Sequence, residues 1–227
     1  DYTQFEYGME GGIVVIPARH HVGMELEVDR ELGKLPWAKL FLIGDEEGSF
    51  DVSKITQPKV DITVQNPRPD KHSEYKRLGT GFPSHMANAI KTEVPTKDLQ
   101  FFFAGQATFH APQLSPPMNV NFRRKEMSDQ LELIKHLGDI YRSEGFTQGL
   151  SHEEYYDRLG RAKVAPCPSG PELPDTFRMY EALEMGCVPI ADELTQTMRK
   201  GEDFPDYWKW FFSLSEYRSS LVFVCLL

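Results

Sequence analysis

Residues 168–190 read PSGPELPDTFRMYEALEMGCVPI, and their reading decides the fold. A Gly/Pro loop follows a strand expected at Val164 to Cys167 and leads into a helix expected from Pro174 to Met185. Asp175 stands where it can cap that helix, and Gly186 closes it. Phe177, Tyr180 and Leu183 share the helical face predicted to lie on a sheet, while Arg178 and Glu181 stand one turn apart on another. Cys187 to Ile190 is the next strand. Strand, loop, helix and strand in this order are the repeating unit of a parallel sheet.

The pattern extends upstream. Ser151 and Glu154 spell a capping box for a helix ending near Arg161. Leu99 to Ala104 reads as a strand ending at Gly105, and Gln106 to Asn121, with Pro112, Pro116 and Pro117, as a long loop. Lys125 to Arg142 reads as one helix, because Leu131, Ile134, Leu137 and Ile140 recur every three residues. In the first half, Ile13 to Ile16, Leu40 to Ile43 and Val60 to Val64 read as buried strands, with a helix from Glu25 to Leu35. Continuous apolar runs predict a parallel sheet covered on both faces. The stretch Val94 to Asp98 marks a boundary, giving expected domains of residues 1–97 and 98–227.

The bulk numbers fit this α/β reading. The chain has 227 residues, is 40% hydrophobic and 26% charged, and carries a formal net charge of -9. That acidic balance argues against a main grip on nucleic-acid phosphate. Cys167, Cys187 and Cys225 form neither a disulfide framework nor a zinc signature, so a reducing, cytoplasmic setting is expected. No apolar run approaches the ~20 residues a membrane-spanning helix needs, and no signal peptide is visible at Asp1.

The loop and helix at residues 168–190 also carry chemistry. Ser169, Gly170 and the helix start offer backbone N–H groups and a positive dipole end, which suit a diphosphate. Thr176 adds a hydroxyl and Arg178 a planar, permanently charged fork. Glu181 is a carboxylate able to accept from a ribose diol. An ordinary surface helix with an Arg–Glu pair explains the same pattern without function.

The run PSGPELPDTFRMYEALEMGCVPI resembles the donor-site motif of GT-B glycosyltransferases, and most closely the exostosin-type group. FFFAG at Phe101 to Gly105 resembles the first strand and glycine turn of the same domain, and EEYYDRLGRAKVAPCPSG at Glu153 to Gly170 the helix and strand before the motif. The resemblance covers residues 99–192 well and the first half loosely. It implies an α/β protein of two Rossmann-type domains facing a cleft. It implies transfer of a sugar from a nucleoside diphosphate sugar to the hydroxyl of a glycan or other acceptor, a modified DNA base included. No metal and no cofactor beyond the donor is implied. Thr176 and Arg178 would contact the diphosphate, with Asp175 and Phe177 beside them, and Glu181 the ribose. Gly105 would let the first loop approach the phosphates, and Arg123 or Arg124 would be the basic residue after it. Many retaining members carry a second glutamate where this chain has Leu173, which leans toward inversion.

An inverting enzyme needs a base for the acceptor hydroxyl. Asp45, then Glu46 and Glu47, follow one expected strand, and His20 and His21 follow another. Asp45 is nearest its strand end and ranks first. A non-catalytic sugar-nucleotide-binding protein of this fold and a sugar-nucleotide epimerase stay open as alternatives.

Overall fold

Val14 and Ile16 are buried while Ile13 and Val15 are 69% and 55% exposed, so the first strand, β1 (Gly12–Pro17), has one wet face. This alternation opens the computed structural model, which describes residues 11–45, 48–81, 83, 85–86, 95–106, 109–111, 118–120, 122–143, 148–170, 173–191 and 207–213. The chain divides into two compact units between Gly79 and Thr80, and Trp210–Glu216 join the first unit. The expected boundary at residues 97 and 98 therefore falls within the second unit. Thr80 is tied there by its own N–H, which donates to the Asp175 carboxylate at 2.9 Å.

In the first unit β1 pairs with β2 (Ala38–Ile43), β2 with β3 (Val60–Gln65) and β3 with β4 (Lys76–Leu78), all in parallel. Helix α1 (Glu25–Leu32) and helix α2 (Pro69–His72) lie in the connections. Right-handed crossovers in an order that never reverses send every connection to the same face of the sheet. On that face Val28 and Leu32 of α1 join Val14, Ile16, Leu40, Leu42, Phe50 and Val64 in the core. This corrects the expectation of a sheet covered on both faces, because β1 leaves Ile13 and Val15 to solvent.

The second unit is wound differently. Its central strand is β5 (Leu99–Gln106), in which Phe101, Phe102, Phe103 and Ala104 are all buried, as a strand covered on both faces requires. A short antiparallel ribbon of β6 (Phe109–Ala111) and β7 (Met118–Val120) follows. Helix α3 (Phe122–Leu133), strand β8 (Asp139–Ser143), helix α4 (His152–Arg161), strand β9 (Ala162–Cys167), helix α5 (Phe177–Glu184) and strand β10 (Val188–Ala191) complete the sheet. The order is β10-β9-β5-β8, all parallel. The chain first steps from β5 to β8, then returns across β5 to β9. That reversal is a topological switch point, and it lies where β5 and β9 meet.

Two expectations fail in this unit. The residues read as a long loop contain the paired β6–β7 ribbon. The helix expected from Lys125 to Arg142 ends at Leu133, and Ile140 belongs to β8. Gly138 explains the break: a Cβ there would stand 2.4 Å from the Phe101 carbonyl oxygen, so the chain passes β5 at a distance only glycine allows. The capping box is present as read, with Ser151 and Glu154 bonding reciprocally at the start of α4. Among the described residues no helix is long and apolar enough to cross a membrane.

Candidate functional site

The switch point puts the carboxyl ends of β5 and β9 side by side, and loops diverging from such a point leave a crevice. Gly105 stands near the end of β5, and Ser169 and Gly170 follow β9. Arg124, in the first turn of α3, reaches this edge and donates through Nη2 to the Ser169 carbonyl at 2.9 Å. Gly170 donates its N–H to the Leu173 carbonyl at 2.8 Å, and a Cβ on it would lie 3.3 Å from the Thr176 methyl. Four residues named from the sequence are thus gathered at one sheet edge.

Arg178 is brought to the same edge by the first turn of α5. Its guanidinium donates to the Ala104 carbonyl and lies over the Phe103 ring, 5.0 Å from the centroid. Gly105 has φ +154°, and a Cβ there would stand 2.7 Å from Arg178 Nη2. The glycine is therefore what lets the guanidinium lie along the strand end. Burial alone would lower the Arg178 pKa, but Tyr155, Cys167 and Glu181 around it raise it above the ordinary arginine value. The side chain stays a cation at any working pH.

Among the described residues, two polar atoms at this helix start are buried without a partner: Thr176 Oγ1 and Arg178 Nε. Thr176 is the N-cap residue, in an extended conformation, but its hydroxyl caps nothing. Native proteins rarely leave such donors unmet, and here both belong to one turn. The capping role expected of Asp175 is corrected. Its buried carboxylate instead accepts from the Thr80 N–H and, at 2.7 Å, from the Tyr180 hydroxyl. The sheet-facing side of α5 is also not Phe177, Tyr180 and Leu183. Met179, Glu181 and Ala182 are buried, and Phe177 is 47% exposed at the helix start.

Glu181 is buried and doubly held. Tyr155 donates to Oε2 at 2.8 Å and Tyr156 to Oε1 at 3.0 Å. Burial, then the neighbouring carboxylate, pushes the Tyr156 pKa well above the phenol range; burial also dominates the rise at Tyr155. Both hydroxyls remain donors. Neither tyrosine was named from the sequence. The signal was present in the two adjacent aromatic residues of an amphipathic, capped helix just upstream of the motif.

The candidate bases lie in the first unit. Asp45 is buried, and its Oδ2 accepts from the Phe50 N–H at 2.7 Å, closing the loop after β2. Its carboxylate serves that loop rather than an open surface. His21 sits in the single turn after β1 (residues 18–21), partly exposed, with Nδ1 3.0 Å from the Pro17 carbonyl. A carbonyl can only accept, so Nδ1 carries a proton and donates it to Pro17. His20 is exposed beside it. Glu46, Glu47 and the Arg123 side chain lie outside the described residues.

No protein-family model matches the chain, and no curated protein matches it.

Proposed function

We propose that this chain is a glycosyltransferase of the GT-B type, and that its second unit binds the nucleoside diphosphate of the donor at the carboxyl ends of β5 and β9. The observation that carries this reading is the pair of buried donors, Thr176 Oγ1 and Arg178 Nε, unmet among the described residues, at the start of α5 and beside Gly105. A diphosphate supplies acceptor oxygens to both, and the N-terminal end of α5 adds its dipole. Arg178 then neutralises charge that grows on the leaving diphosphate as the glycosidic bond breaks, which lowers the barrier. Arg124 holds the 168–169 backbone in place for the same ligand.

Thermal shift against nucleoside diphosphates and their sugars tests the binding, since a ligand of the folded state alone raises its stability. One nucleotide is expected to shift wild type and to lose its effect on Arg178→Gln. Sugar transfer to an acceptor by wild type, lost in Arg178→Gln, tests the activity. A folded wild type that responds to no nucleotide refutes the reading. Binding without turnover on any acceptor favours the non-catalytic alternative.

A further inference from the structure

In the first unit, β1 stands at one end of the order β1-β2-β3-β4, and among the described residues no strand pairs with its outer side. Gly12 donates its N–H to the Trp37 carbonyl at 3.3 Å. Alternate residues of a strand bond to opposite sides, so Gly12, Val14 and Ile16 turn their amides to β2 while Ile13 and Val15 turn theirs outward. The side chains follow the same alternation: Val14 and Ile16 enter the core, and Ile13 and Val15 stand in solvent. Outward amides and exposed apolar side chains thus fall on the same residues. The other edge strands of the two four-stranded sheets carry the features that keep edges from pairing. β4 has Lys76 and Arg77, β8 has Asp139 and Arg142, and β10 has Pro189. β1 reads GIVVIP and has no charge at all.

We propose that β1 is the interface of a homodimer, in which the first sheets of two copies join edge to edge through antiparallel β1 strands. The proposal is independent of the donor-site reading. Charge selects this occupant and this edge. A formal net charge of -9 sets two copies against each other over most of their surface, and an uncharged edge is where they meet without that repulsion. The edge is also complementary to itself. With the two-fold axis at Val14, Ile13 of each copy stands opposite Val15 of the other. Both residues have outward amides, so each such pair exchanges both of its hydrogen bonds, and the Ile13 and Val15 side chains face each other on the wet side of the sheet. Pro17 fixes the register. An axis at Val15 would set Ile13 opposite Pro17, which has no N–H to give.

The test is sedimentation equilibrium of the full chain over a concentration series, on wild type, Val15→Pro and Ile13→Lys, with amide hydrogen exchange on the same samples. Val15→Pro removes an outward N–H from each copy and leaves the pairing with β2, which the Val15 amide does not serve. Wild type is expected to pass from monomer to dimer in the micromolar range, as a short interface does. Val15→Pro is expected to weaken the dimer about thirtyfold, because the two-fold axis removes one hydrogen bond in each half. Ile13→Lys is expected to weaken it about tenfold through the lost apolar pairs. The Ile13 and Val15 amides are expected to exchange more slowly in the dimer than in the monomer. A wild type that stays monomeric at every concentration overturns the proposal. So does a dimer that neither variant weakens, which would use another surface. Slow exchange of these amides in the monomer also overturns it, since the chain itself would then cover the edge. Ile13 is 69% exposed, so Ile13→Lys carries the test if Val15→Pro does not fold.

Discussion

At the scale of the residue, Thr176 holds the clearest conflict between stability and function. Its hydroxyl is buried, unmet and caps nothing. Its backbone, at φ -130° and ψ 151°, suits a β-branched apolar residue of the same shape. Thr176→Val is therefore expected to raise the stability of the unliganded protein by about 1 kcal/mol and to weaken nucleotide binding about tenfold. Denaturant unfolding and titration measure the two effects, and opposite signs are the result to look for. A residue kept only for packing would show the first change without the second. The sequence shows Thr176 and Arg178 as residues able to meet a diphosphate, because their types and spacing carry that information. It does not show that Asp175 serves Thr80 and Tyr180. The bond to Thr80 joins residues far apart in the chain, and no local pattern encodes it.

At the scale of the element, Gly138 decides where α3 stops and β8 begins. The three-residue recurrence from Leu131 to Ile140 favours a longer helix, and exposure of Leu133, Ile134 and Leu137 at 73%, 41% and 46% shows that no core rewards it. Tertiary contact with β5 overrides the periodicity. Gly138→Ala pushes a methyl group against the Phe101 carbonyl, and backbone cannot swing aside as a side chain can. A loss of about 2 kcal/mol is expected on denaturant unfolding. The elements with strong end signals were legible: α4 from its capping box, β5 from its run of buried aromatics, and β9–α5–β10 from the loop and glycine that bound them. The ribbon β6–β7 and the short strand β4 were not. Their three-residue lengths leave no period to read, and pairing with a partner strand defines them.

At the scale of the whole molecule, the first unit carries a built-in response to acid. In the first, His72 is buried, and its Nδ1 accepts from the Arg68 N–H at 2.9 Å. Burial holds its pKa down to about 4, against the partial opposition of Asp45 and Asp70 and with help from Lys71 and Arg68. The unfolded chain, with an ordinary histidine near 6.5, binds a proton that the folded one refuses. Stability contributed by the neutral ring is complete above pH ~6.5 and is lost as pH falls toward about 4. The loss amounts to about 3 kcal/mol once both limits are passed. His72→Asn, which keeps an acceptor for Arg68, is expected to flatten the melting temperature of the first unit between those pH values. An unchanged slope would mean that the histidine is not the group responsible. The acidic net charge predicts nothing so specific. It took the fold to bury this histidine beside Asp45, a residue the sequence offered as a base.

The sheet of the second unit also carries its own gauge of opening. Cys167 and Cys187 are buried, the first donating to the Ala165 carbonyl at 3.2 Å and the second to the Leu159 carbonyl at 3.0 Å. Burial pushes the Cys167 thiol up to about 12, and burial likewise raises Cys187. Neither sulfur offers thiolate to an alkylating reagent while the strands stay paired. With Cys225 replaced by serine, the rate at which iodoacetamide marks these two thiols becomes a clock for the parting of β9 from its neighbours. Any nucleotide that slows the clock reports its own occupancy.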